Sequence, residues 1–293
     1  MEKSDKLRVW YGPLMILLSA VAWSFSGVLS KGLSWNGFSK AGVRGVIAVF
    51  IFACARRSFK VKLTPGHILG ALGVSLTSLL YMTAIRFTTS ANAIVLQYSM
   101  PVYVILLLFI LYRRKPSVRD MIAVPFVLLG VILCCMKGES GGEGKLIGDI
   151  LALISGLTFA LVYVASRIPG SDPMSYSYLG NIFSAFMAVS IFFDPNVHFH
   201  AADTVTRAMV IEQWVRILLL GLSLSFGYLF LAYGIRHTPP VTAAIISNME
   251  PVLNPVWTFL FIGEAPGILG IVGAGIVLIT STLHSCLPSR KEP

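Results

Sequence analysis

Long apolar runs alternate with short polar breaks along the whole chain. Ten runs stand at 12–30, 39–55, 67–86, 90–112, 119–136, 148–166, 174–193, 214–234, 241–262 and 266–286. A helix needs about 20 mostly apolar residues to cross a bilayer, so each run is read as one crossing. The breaks carry turn formers: Asn36-Gly37, Thr64-Pro65-Gly66, Lys115-Pro116, Gly141-Gly142, Ser171-Asp172-Pro173, Pro239-Pro240 and Ala265-Pro266. In the longest break, 194–213, Asp203, Arg207 and Glu212 stand beside Val205, Met209 and Val210, which predicts a short helix lying on the membrane surface. The expected fold class is therefore an all-α integral membrane protein of ten transmembrane helices.

Composition narrows the environment. Of 293 residues, 56% are apolar and 12% charged, against about 25% charged in soluble domains. The net charge of +10 invites a nucleic-acid reading. Its cations, however, sit in clusters between apolar runs, as in Arg56, Arg57, Lys60, Lys62 and in Arg113, Arg114, Lys115, which is a topology signal and argues against nucleic acid as a partner. With the N-terminus cytoplasmic, the inner breaks and tails hold 15 Lys and Arg against 7 in the outer loops, so both termini are expected inside. Lys3, Lys6, Arg8 and the Ala20-Val21-Ala22 stretch mimic a secretory signal, but the run is read as the first helix because the second half of the chain repeats it. Cys54, Cys134, Cys135 and Cys286 form no CxxC and read as packing residues.

The repeat is visible in register. A shift of 150 lays Ile85-Arg86-Phe87-Thr88 on Ile235-Arg236-His237-Thr238, Ala93 on Ala243, Pro101-Val102 on Pro251-Val252 and Phe109 on Phe259. A shift of 136 lays Gly12, Leu17, Ser19, Trp23 and Ser30 on Gly148, Leu153, Ser155, Phe159 and Ser166. Two five-helix halves, 12–136 and 148–286, follow. Because five is odd, the second half enters from the opposite face, an inverted repeat with a site expected between the halves near mid-membrane.

Further residues carry a family resemblance: Arg44 early in the second run; Ala84-Ile85-Arg86-Phe87-Thr88-Thr89-Ser90-Ala91 followed by Pro101; and Glu250-Pro251 followed by Gly263-Glu264 and Gly267, Gly270, Gly273 and Gly275. Taken in this order, the chain resembles the EamA-type transporters of the drug/metabolite transporter superfamily from its first to its tenth helix. The resemblance implies a ten-helix carrier with inverted halves and cytoplasmic termini, placed in the cytoplasmic (plasma) membrane and moving amino acids, drugs or other metabolites. It does not name the substrate.

Candidate chemistry is sparse and central. Glu250 sits mid-helix, where a carboxylate must be paired, carry a proton or face water; it is read as a proton-coupling group, a partner for a cationic substrate, or an inter-helix hydrogen-bond acceptor. Ser247, Glu250, Asn254 and Trp257 share one helix face. Arg44 stands near the outer end of its helix, where it is expected to snorkel and anchor the helix; the other reading is recognition of a substrate carboxylate. Gln97 and Tyr98 precede Pro101 as Ser247 precedes Pro251, and the two prolines are expected to free carbonyls and act as hinges. Trp23, Tyr81, Tyr98, Phe159 and Tyr163 are expected to form an aromatic wall, with Ser19, Ser26 and Ser30 on the Trp23 face. The cavity is expected between helices 1, 3, 4, 6, 8 and 9. The glycines of the last helix predict close helix packing, within a monomer or in a homodimer.

Enzyme-like signals are weak. Gly138-Glu139-Ser140-Gly141-Gly142 matches a nucleophile elbow but lacks the strand–turn–helix setting. His198 and His200 offer two metal ligands without a third. A phosphate-binding P-loop does not occur, so ATP hydrolysis by this chain is excluded. The reading is a secondary carrier without a cofactor, moving amino acids by export or exchange; cationic drugs, nucleosides and other metabolites are the alternative cargo. A lipid-modifying enzyme or a channel fits less well, because the polar groups lie at mid-depth and are discontinuous.

Overall fold

The computed structural model describes residues 2–30, 33–88, 90–135, 145–201, 205–262 and 268–286. The first half holds α1 (Glu2–Ser24), α2 (Ser26–Ser30), α3 (Gly37–Arg56), α4 (Pro65–Ala84), α5 (Ser90–Gln97), α6 (Met100–Tyr112) and α7 (Val118–Cys135). The second holds α8 (Lys145–Ala165), α9 (Pro173–Ala185) with a 3-10 turn (Phe186–Phe192), α10 (Arg207–Gly234), α11 (Pro240–Ser247), α12 (Met249–Ile262) and α13 (Ile268–Cys286). Among the described residues the secondary structure is helical throughout apart from the turns between helices.

Helix starts follow local chemistry. Asn36, Thr64, Asp172 and Thr206 each turn a side-chain oxygen onto a backbone N–H of the first turn, and Pro65 and Pro173 occupy first positions that need no donor. Thr206 begins α10, which runs unbroken for 28 residues. The surface helix expected within 194–213 is therefore not a separate element: its second part, Arg207 to Gln213, is the opening of α10, capped by Thr206 and braced by the Glu212–Arg216 pair one turn apart.

Five stretches are long and apolar enough to cross a membrane: Trp10–Ser30, Gly37–Arg56, Pro65–Ala84, Leu146–Ala165 and Arg207–Gly234; Met100–Tyr112 and Ile268–His284 are shorter apolar helices. The runs 90–112 and 241–262 are each interrupted, at Tyr98-Ser99 and at Asn248, just ahead of Pro101 and Pro251. A proline has no N–H to give and crowds the preceding turn, so the helix restarts around it. Run 12–30 likewise breaks at Phe25, and run 174–193 ends as a 3-10 turn.

Packing partners recur between the halves. α4 packs on α8 and α9, and α10 packs on α1 and α3; α5 and α6 lie against α8, and α11 and α12 against α1; α3 meets α9, and α7 meets α13. The recurrence extends to single residues. Gly12 lies against Thr238 and the His237 backbone, and Gly148 lies against Thr88 and the Ala84 carbonyl; a side chain at either glycine would collide with them. Of the last helix's glycines, Gly273 offers its carbonyl to the approach of Gly130 on α7, so part of the close packing expected there is internal; Gly267 lies outside the described residues.

The bundle buries small polar side chains among its apolar core and turns large apolar side chains outward. Ser19, Ser155, Ser225, Ser247, Asn248 and Asn181 are buried, while Phe50, Leu260, Ile279 and Phe186 are exposed. A surface of this kind suits lipid rather than water. Five helices long and apolar enough to cross a membrane, in a bundle with this surface, point to a multi-pass membrane protein.

Candidate functional site

A cavity opens between the halves, about 450 Å³ of empty space when its open mouth is included, lined by Trp23, Ser26, Arg44, Thr77, Ser78, Tyr81, Met82, Gln97, Tyr98, Phe159, Leu224, Tyr228 and Glu250. Those on α4 belong to its C-terminal half, and Arg44 to the N-terminal half of α3. The cavity therefore lies toward the face that carries Asn36 and Thr88, away from the one that carries Asp172 and Arg236.

Trp23 is the centre of the aromatic wall. Its ring meets Tyr228 and Phe159 edge-on at 5.0 and 5.5 Å, and Phe159 meets Tyr163 at 5.3 Å. The indole Nε1–H donates to the Leu224 carbonyl at 3.4 Å. The contact is made possible by Gly227, where a β-carbon would overlap the indole. Tyr163 stands behind this wall rather than on it. Ser247 gives its proton to the Ala243 carbonyl at 3.0 Å, so the Tyr163 phenol is the donor in the 2.7 Å bond between them. Tyr163 and Ser247 thus couple α8 to α11 in a buried layer that supports the wall.

The polar side of the cavity begins with the break at Tyr98. The Tyr98 phenol donates to the Glu250 carboxylate. Both residues stand beside the proline-interrupted points of equivalent helices, so the two interruptions meet across the site. Gln97 lines the cavity with its side chain; its carbonyl is approached by α8 at Gly156, where a β-carbon would lie 2.7 Å from the oxygen. From α4, Thr77 donates to the Gly73 carbonyl at 2.6 Å and lies 2.9 Å from the Thr158 hydroxyl.

Arg44 does not snorkel. It is only 5% exposed and faces the cavity that Glu250 also lines, and its Nε and Nη1 have no hydrogen-bond partner. A position near a helix end suggests a path to the interface, but α4, α9 and α10 pack around α3 and enclose the side chain. The cavity thus includes helix 2 of the sequence numbering as well as the six helices expected.

Trp257 is likewise elsewhere: it donates to Ser24 Oγ at 2.7 Å and stacks on Phe25 at 4.4 Å, closing the gap between α1 and α2. The side chain of Asn254 and residue Ser140 lie outside the described residues. His198 accepts at its carbonyl from Trp214 Nε1, and no trio of metal-binding side chains gathers among the described residues. Sequence reasoning missed Thr77, Ser78, Met82, Leu224 and Tyr228. A signal for two of them was present, since the shift of 150 lays Ser78 on Tyr228.

The face opposite the cavity is tied by polar contacts. Arg236 pairs with Asp172, and Arg167 donates to the Thr238 carbonyl at 3.0 Å. The Asp172 N–H donates to His67 Nε2 at 2.9 Å, and His67 Nδ1 lies 2.5 Å from the Lys62 carbonyl. Burial pushes the Asp172 carboxyl up, but bonds from Ser175 and the Arg236 charge outweigh it and hold the group below the usual carboxylate range.

Comparison with known proteins fits this geometry. The model of the family described as "EamA-like transporter family" matches residues 10–136 and 146–286. Relatives include the threonine/homoserine exporter RhtA of Salmonella typhimurium, 26% identical with 98% of this chain and 95% of that protein covered. An uncharacterized transporter of Clostridium kluyveri is 24% identical, with 93% and 92% covered. A crystal structure with 15% identity superposes with a TM-score of 0.77 over 93% of this chain and 95% of that one, a likeness of fold.

Proposed function

The chain belongs to the EamA-like transporter family, and from that premise we propose that it is a secondary carrier of amino acids, exporting or exchanging them across the cytoplasmic membrane by alternating access. In this reading the helices make ten crossings as two inverted halves, 12–136 and 148–286, with both termini inside. The recurrence of packing partners and the paired contacts of Gly12 and Gly148 support that arrangement. Pro101 and Pro251 act as hinges where the helices are interrupted, and Glu250 is the coupling carboxylate.

One observation carries the proposal: Arg44 of the first half and Glu250 of the second line the same cavity between the halves. A guanidinium and a carboxyl group facing one cavity suit the two ends of a zwitterion. That the similar RhtA proteins are threonine/homoserine exporters supports the same class. The aromatic wall with Glu250 would also suit a cationic drug, but such a cargo would meet the Arg44 charge.

Uptake of labelled amino acids into liposomes holding the purified protein tests this, with protein-free liposomes and Glu250→Gln as controls. Saturable uptake is expected, and Glu250→Gln is expected to remove its dependence on a pH gradient while keeping exchange. A folded protein that moves no amino acid sinks the proposal and directs the search to drugs, nucleosides and sugars.

A further inference from the structure

We propose that Arg44 and Ser78 form a carboxylate-binding subsite within the cavity, which selects for cargo bearing a free carboxylate. A buried guanidinium has five N–H donors and a charge that must be answered, because unmet donors and unpaired charge are costly away from water. Arg44 is 95% buried by its 5% exposure, and its Nε and Nη1 are unpartnered. Ser78, one turn before Tyr81 on α4, is 8% exposed, faces the same cavity, and has an unpartnered hydroxyl.

Among the described residues no carboxylate is paired with Arg44. Every acidic residue whose side chain is described is engaged elsewhere: Asp120 by His284, Asp149 by Thr88, Asp172 by Arg236 and Ser175, Asp194 by the Asn36 N–H, Glu212 by Arg216 and Glu250 by Tyr98. Lys40, one turn earlier on α3, is also buried and adds positive potential beside Arg44. Tyr81, Tyr228 and Glu250 are the other titratable groups close enough to act on Arg44. No oxygen acceptor reaches Arg44 Nε or Nη1, and a carboxylate matches the planar guanidinium while accepting from Ser78. Glu250 of the second half accepts from Tyr98 of the first through one oxygen and keeps acceptor capacity for an ammonium group.

The subsite rests on reading the cavity as the transport site, and the test separates the two. Thermal unfolding of the purified protein in micelles is followed with L-threonine, L-threoninamide and 3-hydroxybutyrate, which respectively carry both charges, only the ammonium and only the carboxylate. L-threonine and 3-hydroxybutyrate are expected to raise Tm, and L-threoninamide is not. Arg44→Gln is expected to weaken binding of both carboxylates about 10- to 100-fold, with partial recovery in Arg44→Lys and a smaller loss in Ser78→Ala. Should Arg44→Gln fail to fold, phenylglyoxal modification of the native protein replaces it, and 3-hydroxybutyrate is expected to slow labelling of Arg44. Stabilisation by L-threoninamide equal to that by L-threonine overturns the subsite. So does the absence of both a Tm shift and protection with either carboxylate. If 3-hydroxybutyrate binds through Arg44 while no amino acid is transported, the subsite stands and the amino-acid proposal falls.

Discussion

The Tyr98 phenol donates its proton to the Glu250 carboxylate, and so links the interrupted helix of one half to its equivalent in the other. Tyr98 is 1% exposed, and its phenol is committed to this bond. A hydrogen bond to a charged group is worth about 1.5–3 kcal/mol. Tyr98→Phe is expected to lower stability by an amount of that order, and Glu250→Gln, whose amide oxygen still accepts a neutral hydrogen bond, to reduce the difference between Tyr and Phe at position 98 by about half. A double-mutant cycle on thermal unfolding checks this. Additivity within about 0.5 kcal/mol would mean the two groups are not coupled.

Gly227 supports Trp23 directly. A β-carbon at position 227 would overlap the indole, whose Nε1 is among the atoms it would meet. Gly227→Ala is expected to push Trp23 into the cavity, raise the KM for bulky cargo more than for small cargo, and cost about 1–3 kcal/mol of stability from overpacking. A second change, Trp23→Phe in the Gly227→Ala background, removes the larger ring and is expected to restore uptake of the bulky cargo. Equal losses for large and small cargo in Gly227→Ala would show that the wall is not what was disturbed.

The tied face is expected to loosen in acid. Asp172 is held below its ordinary value, so its contribution is complete at neutral pH and is lost as pH falls through the lowered value, below about 4. The Asp172 N–H also donates to His67 Nε2, which places the ring proton on Nδ1, facing the Lys62 carbonyl. Asp172→Asn is expected to lower Tm at neutral pH and to flatten its fall in acid. Tm profiles of both proteins between about pH 3 and 7 check this, and parallel profiles would show that Asp172 plays no part.

Much of this architecture is legible in the sequence because lipid makes a simple demand: backbone polar groups must be satisfied within each segment, so apolar runs read as helices. Proline positions give the interruptions at Tyr98-Ser99 and Asn248 for the same local reason. Of the cavity residues, Trp23, Tyr81, Gln97, Tyr98, Phe159, Glu250 and Arg44 stand out as polar or aromatic groups in apolar runs. Depth and rotation are what the sequence hides. Tyr163 and Ser247 read as cavity residues but are satisfied by each other, and Arg44 reads as a snorkelling anchor because enclosure by α4, α9 and α10 depends on tertiary packing. Thr77 and Ser78 are small hydroxyls, common in membrane helices, and only the neighbours of α4 set them apart.

Orientation determines what the tied face means. In the proposed topology Lys60, in the break between α3 and α4, is cytoplasmic, and His200, ahead of α10, is outside; both are exposed. Cys54 is an exposed free thiol, so a chain without its four native cysteines is needed first. In that background, a membrane-impermeant maleimide on intact cells is expected to label His200→Cys at once and Lys60→Cys only after permeabilisation. The Asp172–Arg236 pair then closes the cytoplasmic face, and the cavity, which lies toward Asn36 and Thr88, faces outward. The opposite labelling pattern would invert the chain. The same ion pair would close the outer face, the cavity would face the cytoplasm, and Arg44 would meet cargo entering from inside.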